Sequence, residues 1–230
     1  MWIIVAAIYI AATALLVPFF VYLSAVTVYA LKRRPRGRPV TPPARPPRFL
    51  IVIPAHDEEA NIASTVASCR GIAYDPALFE VFVIADNCSD DTARAASGAG
   101  AEVVERADPS RRSKGHALQY FFERLPGLRP DGVFDAAVVI DADTVVDPGL
   151  LAAFAGAIAD GIDWAQGYYT VSNPDASWRT RLLTYAFSLF NGVWLLGQER
   201  MGLGVGLKGN GMCFASRGLA RSRASILCAS

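Results

Sequence analysis

The sequence predicts an α/β fold: a mostly parallel sheet with helices on both faces, preceded by one apolar helix at the N-terminus. Three observations predict it. From Phe49 onward, short apolar runs alternate with segments of helical spacing, an order that builds parallel sheets covered on both faces. Trp2–Leu31 contains no charged residue. The apolar run 136–140 ends in Asp141-Ala142-Asp143, and ligands of open α/β sheets collect at the carboxyl ends of strands.

The N-terminal segment comes first. A bilayer crossing needs about 20 apolar residues, and residues 1–31 supply them despite Pro18, which membrane helices tolerate. The basic cluster 32–38 follows at once, and such clusters stay on the cytoplasmic side. The expectation is a single-pass anchor in the cell (inner) membrane, N-terminus outside, with the rest of the chain in the cytoplasm. A cleaved signal peptide carries its charge before a shorter apolar core; here the charge follows. Residues 32–48, rich in Pro and Arg, read as an extended linker.

The folded elements follow in order. Residues 49–53 form an apolar strand that stops at Pro54. Residues 58–69 have helical spacing (Ile62, Val66, Cys69) and stop at Gly71. Strands are expected at 79–85, 102–105 and 136–140, with helices at 90–99, 114–125 and 148–159. Residues 164–171 read as a further strand. Residues 178–197 are strongly apolar, but Arg179, Arg181 and the Asn191-Gly192 pair favour a helix packed in the domain or lying in the membrane interface over a second span.

Composition narrows the function. The chain has 230 residues, 53% hydrophobic and 19% charged, enough for one domain plus an appendage and too apolar for a purely soluble protein. A net charge of +1 creates no field toward nucleic acid, so no nucleic-acid partner is expected. Cys69, Cys88, Cys213 and Cys228 are scattered and read as reduced, packed thiols. His56 and His116 are too few and too far apart in sequence to argue for zinc.

The Asp-x-Asp triplet suits a hard divalent cation that prefers oxygen ligands and keeps positions open for phosphates. Two other strand ends are polar: His56-Asp57-Glu58-Glu59 after the first strand, and Asp86 through Thr92 after the second. In a parallel sheet all three lie along one edge. Each has a modest reading alone, since acids favour helix N-termini and Ser89 or Asp90 caps well. Together, three acidic ends repel unless a cation or donor groups offset them.

Residues 51–62 (IVIPAHDEEANI), 83–92 (VIADNCSDDT), 113–119 (SKGHALQ) and 138–144 (VVIDADT) resemble the nucleotide-sugar half of family 2 glycosyltransferases. The flavour is that of the membrane-bound branch with cellulose and hyaluronan synthases and ceramide glucosyltransferases. The resemblance spans residues 49–215 and leaves 216–230 as a divergent or truncated tail. It implies a GT-A fold, a UDP-sugar or similar donor, and a Mg²⁺ or Mn²⁺ ion on the diphosphate. It implies roles as well. Pro54 and Ala55 would lie against the nucleoside, and Glu58 near the ribose or base. Asp86 would accept from the base imide N–H. Lys114, with Arg111 or Arg112, would face the diphosphate. Asp141 would sit by the ribose and metal, with Asp143 as the direct metal ligand.

The function implied is inverting, metal-dependent transfer of a sugar from a nucleotide donor to a lipid or polysaccharide acceptor. Gly204-Val205-Gly206-Leu207-Lys208-Gly209 matches a dinucleotide fingerprint in letters only, because no strand leads in and no helix follows. Residues 202–211 read instead as a glycine-rich lip near the donor sugar or acceptor. The resemblance also implies a downstream catalytic Asp, yet no acidic residue follows Glu199. Inverting transfer needs a general base, so the catalytic base is unassigned. An impaired fragment or a non-catalytic nucleotide-sugar-binding protein is the alternative. A nucleotidyltransferase would want a Gly-rich loop after the first strand, and His56-Asp57-Glu58-Glu59 is not one.

Overall fold

The computed structural model describes residues 2–32, 45–130 and 133–218. Most of the basic linker and the end of the tail lie outside the described residues. In chain order the elements are α1 Trp2–Leu31, β1 Phe49–Ala55, α2 Ile62–Arg70, β2 Phe79–Asp86, α3 Thr92–Gly98, β3 Glu102–Arg106, α4 Lys114–Leu128, β4 Ala136–Val139, α5 Leu150–Ala159, β5 Trp164–Gln166, α6 Trp178–Phe187, a π-helical stretch Ser188–Trp194, α7 Leu195–Arg200 and β6 Met212–Ala215. They form two compact units: Met1–Gly37 with Tyr168–Gly206, and Arg38–Gly167 with Leu207–Ser230.

The second unit is built on a six-stranded sheet of order β3-β2-β1-β4-β6-β5. Strands β3, β2, β1 and β4 run parallel to one another, and β6 is antiparallel to both its neighbours. The expected mixed α/β fold is the one observed. Its cause is visible in β1, which is apolar at every position from Phe49 to Ile53 because both sheet faces are covered. Side chains alternate across the pleat. Phe49, Ile51 and Ile53 pack with α2, α3 and α5 through Ile62, Val66, Ala96, Leu151 and Phe154. Leu50 and Val52 pack with Phe82, Ile84 and the α4 residues Ala117 and Phe121. The Phe82 and Phe121 rings lie 5.2 Å apart at 58°, within the range of favourable aromatic pairs.

Three elements differ from the sequence expectation. Helix α2 starts at Ile62, not at Glu58, because the acids before it turn toward the loop after β2: Glu58 N–H donates to Thr92 Oγ1 (2.7 Å) and Glu59 N–H to Asp90 Oδ2 (3.0 Å). Strand β5 ends at Gln166 rather than at Val171: Gly167 N–H makes one more bond along the β6 register, to the Gly211 carbonyl at 2.7 Å, and from Tyr168 the chain belongs to the other unit. Strand β6 was not expected at all; four residues give too short a pattern to read.

In the first unit α1 is the one described helix long and apolar enough to cross a membrane. Residues 178–200 follow a helical path through α6, the π stretch and α7, and no second span is found among the described residues. Helix α7 lies tightly on α1. A Cβ on Gly197 would run into the Val26 carbonyl and come within 2.7 Å of Val26 Cγ1, so only glycine permits this approach. Gln198 Nε2 donates to Tyr22 Oη at 2.7 Å. The Arg200 guanidinium donates to the carbonyls of Tyr29, Ala30 and Lys32. Tyr29 and Ala30 lie in the last turn of α1, where carbonyls run short of intrahelical partners, and a cation there also suits the helix dipole.

Candidate active site

Strands β2, β1 and β4 are neighbours and parallel, so their carboxyl ends share one edge of the sheet. Residues singled out in the sequence gather there in three groups.

The first group is centred on Asp86, the last residue of β2, which is buried. Arg106 ends β3 and is its register partner. Its guanidinium Nη1 pairs with Asp86 Oδ1, and the two side chains are only 4% and 11% exposed. Arg106 Nη2 reaches Asp108 Oδ2 and the Arg111 carbonyl, both at 3.0 Å. Asn87 Nδ2 also donates to Asp86 Oδ1 (2.9 Å), while Asn87 Oδ1 accepts from Asp108 N–H (2.7 Å). Both donors reach the same oxygen of Asp86. The carboxylate is therefore oriented from one side, and Oδ2 is left to accept a further hydrogen bond. The Ser110 hydroxyl, followed by Arg106, holds the Asp108 carboxyl below its usual range.

The second group joins the β1 and β2 loops. Ser89 N–H donates to Asp57 Oδ1 (2.6 Å), Asp91 N–H to Glu59 Oε2 (3.0 Å), and Thr92 N–H to Asp90 Oδ1 (3.0 Å). On these two loops the carboxylates accept backbone N–H groups, so donors of the chain itself offset part of the repulsion between the acidic strand ends. The Thr92 hydroxyl leads the contacts that hold the Asp90 carboxyl below its ordinary value. Asp57 and Asn87 adopt φ of 53° and 55°, a left-handed conformation uncommon outside glycine and frequent at functional sites. Glu58 reaches Asn61 through Oε2 (3.1 Å). Pro54 and Ala55 close β1 beside this loop.

The third group lies after β4. Ser113 caps α4, its hydroxyl accepting from His116 N–H at 3.1 Å. Lys114 is thereby the first helical residue, and its ammonium donates to Asp141 Oδ1 and to the Gly209 carbonyl. Asn210 binds the triplet from the other side: its Oδ1 accepts from Asp141 N–H (3.0 Å) and its Nδ2 donates to Thr144 Oγ1 (2.9 Å). Gln166 Nε2 holds the Asn210 carbonyl at 2.7 Å, and Gln166 Oε1 accepts from Lys208 N–H at 2.7 Å. Gly209 and Gly211, with φ of +93° and +66°, make the tight turn that presents Asn210. From behind, Thr65 Oγ1 donates to the Ala142 carbonyl at 2.7 Å in a buried bond. Asp143 is exposed. Two carboxylates, one unpaired among the described residues and one keeping an oxygen free of Lys114, form a donor set that fits Mg²⁺ or Mn²⁺.

Residues 46–224 match the family described as Glycosyltransferase like family 2. The chain belongs to that family. Its fold is GT-A, an α/β sheet similar to that of the solved mannosyltransferase PcManGT from Pyrobaculum calidifontis, in complex with GDP-Man and Mn²⁺. That similarity has a TM-score of 0.65 at 18% identity and covers 94% of this chain and 57% of the other. Among curated proteins the chain is 31% identical over 101 residues to the low-salt glycan biosynthesis hexosyltransferase Agl6 of Haloferax volcanii, covering 44% of this chain and 22% of Agl6. The chain thus spans less than two thirds of either relative.

Lys114, Asp141 and the end of the glycine-rich lip meet, as do Asp86 and the polar residues around it. Arg111 contributes its carbonyl to Arg106. Arg106, Asn210 and Thr65 were not expected. Arg106 had a readable signal: a buried acid at one strand end calls for a cation, and the neighbouring strand ends in arginine. Asn210 lay in a turn with no pattern pointing to Asp141.

Proposed function

We propose that this chain is the donor-binding part of a membrane-anchored glycosyltransferase that moves a hexose from a nucleotide sugar to a lipid or polysaccharide acceptor with inversion. The observation that carries this reading is the cluster Lys114–Asp141–Asn210 beside the exposed Asp143, at the carboxyl edge of parallel strands. Asp86, fixed by Arg106, presents Oδ2 to the base; Pro54 and Ala55 flank the nucleoside, with Glu58 near the ribose or base. Lys114 meets the diphosphate. Asp141 and Asp143 would hold Mg²⁺ or Mn²⁺, which when bound stabilises charge on the departing diphosphate. The neighbour's GDP-mannose and Mn²⁺ make GDP as well as UDP donors worth testing.

Asp143→Asn removes one anionic ligand. It is expected to weaken Mn²⁺-dependent binding of UDP or GDP by at least the roughly 10–100-fold that loss of an outer-shell partner costs and to leave metal-free binding and thermal unfolding unchanged. Calorimetric titration of the full chain in detergent, with and without Mn²⁺, measures this; equal metal-dependent affinity in the variant would remove Asp143 from the site. NMR of the product's anomeric configuration tests the inversion.

We place α1 in the cell membrane as a single-pass anchor, N-terminus outside. Its 30 residues span about 45 Å at 1.5 Å per residue, more than the roughly 30 Å hydrocarbon core. Expressed in a bacterial membrane, the chain is expected to resist alkaline carbonate extraction and to keep residues 2–31 in its intact mass. A mature protein lacking them would identify a signal sequence.

A further inference from the structure

Three potential metal ligands converge away from Asp141 and Asp143. His56, Asp57 and Cys88 each offer one ligand atom, and these atoms lie within 4.8 Å of one another. They come from separate loops, the first two after β1 and the third after β2, so their sequence positions gave no sign of a shared site. We propose that they form a second metal site, selective for a borderline-soft divalent cation such as Zn²⁺ and distinct from the oxygen-only pair at β4.

The surroundings orient each ligand. His56 Nδ1 lies 2.7 Å from the Asp86 carbonyl. A carbonyl only accepts, so Nδ1 carries the proton and Nε2 is the free lone pair. Metal-binding histidines are commonly held this way, with the far ring nitrogen donating to a carbonyl. Nε2 points to Asp57 Oδ2, 3.8 Å away. Asp57 Oδ1 accepts from Ser89 N–H at 2.6 Å, and the Ser89 hydroxyl lies 3.3 Å from both carboxylate oxygens; together they fix the carboxylate with Oδ2 on the histidine side. Tetrahedral zinc with bonds of about 2.0–2.3 Å sets its ligand atoms roughly 3.3–3.7 Å apart, so the His56–Asp57 spacing is already near that of a loaded site. Imidazole, carboxylate and thiolate together suit zinc better than Mg²⁺ or Mn²⁺. Cys88 is half-buried while His56 and Asp57 are exposed, which gives solvent access for the ion. As the Zn–S bond forms, the Cys88 thiol gives its proton to buffer. A fourth position stays open to water. An occupied site ties together the two loops that flank Asp86.

The test uses Zn²⁺ and the spectroscopic probe Co²⁺ on the full chain in detergent, under reducing conditions. One equivalent of Co²⁺ is expected to give a thiolate-to-metal charge-transfer band that Zn²⁺ displaces. Cys88→Ser should abolish the band and weaken Zn²⁺ binding by about 100-fold. His56→Asn should weaken Zn²⁺ similarly, which guards against a folding defect peculiar to one variant. Cys228→Ser and Asp143→Asn should leave the band intact, and the latter separates this site from the proposed donor metal. Cys69 and Cys213 are buried in the sheet core, away from an ion arriving from solvent, so they do not compete. Absence of the band in the wild-type chain, or its survival in Cys88→Ser, overturns the proposal.

Discussion

Replacing Arg106 with methionine is expected to destabilise the sheet unit by about 3–5 kcal/mol, the cost of leaving a buried charge without its partner. Arg106 and Asp86 end adjacent parallel strands in register, and neither side chain is more than 11% exposed. Methionine keeps much of the side-chain length while removing the charge, so the loss reports on electrostatics more than on packing. The same change frees Asp86 to rotate, so nucleotide affinity should fall along with stability. The double variant Asp86→Asn, Arg106→Met no longer buries an unpaired charge and should regain a good part of the lost stability. Urea unfolding of the detergent-solubilised chains gives all the corners of this cycle. A loss below about 1 kcal/mol in the single variant would place the pair among exposed ion pairs and undo the account of Asp86.

Gly197→Ala should be the most damaging small substitution in the first unit. The added methyl group meets the Val26 carbonyl and lies 2.7 Å from Val26 Cγ1 and 2.8 Å from its carbonyl carbon. Backbone cannot rotate away as a side chain can, so α7 must move off α1. Overpacking of this kind costs about 1–3 kcal/mol and sometimes more. The shift also threatens the Gln198–Tyr22 hydrogen bond and the contacts of Arg200 with the end of α1, whose α7 donors lie within three positions of Gly197. Gly204→Ala is the control, since a Cβ there meets nothing within 4 Å. Thermal unfolding in detergent should separate the two variants; equal midpoints would show that α7 is not held against Val26.

The fold was legible where burial leaves a simple pattern. Strands β1 and β2 are largely apolar because both faces are covered, and α4 was expected from residue 114, where it starts. The sequence was less legible where an acid has two competing uses. Glu58 and Glu59 read as helix starters, but their backbone N–H groups donate to Thr92 Oγ1 and Asp90 Oδ2 of the loop across from them, and only the Glu59 carboxylate accepts from that loop, from Asp91 N–H. Strand β6 was invisible because its pairing with β4 depends on tertiary contact, not on length or alternation. In the candidate site, Asp86, Lys114, Asp141 and Asp143 were singled out from motif and strand-end position. Arg106 and Asn210 were not, since each acts on a partner distant in sequence. The His56–Asp57–Cys88 cluster escaped for the same reason.

Strand β6 fixes when the edge of the sheet matures during synthesis. Strands β1 to β4 and their parallel pairings are complete once Val139 has been made. Strand β4 then has one flank unpaired until Met212–Ala215 arrives to cover it. Tyr168–Gly206, which belongs to the other unit, must be made in between. Contacts across so long a stretch close slowly, and an apolar strand with an open edge is a template for pairing with another chain. Asn210 and the Gly209 carbonyl, which grip Asp141 and Lys114, arrive just ahead of β6. The candidate site is therefore finished late, and until then the nascent chain carries an adhesive edge of the kind that chaperones shield.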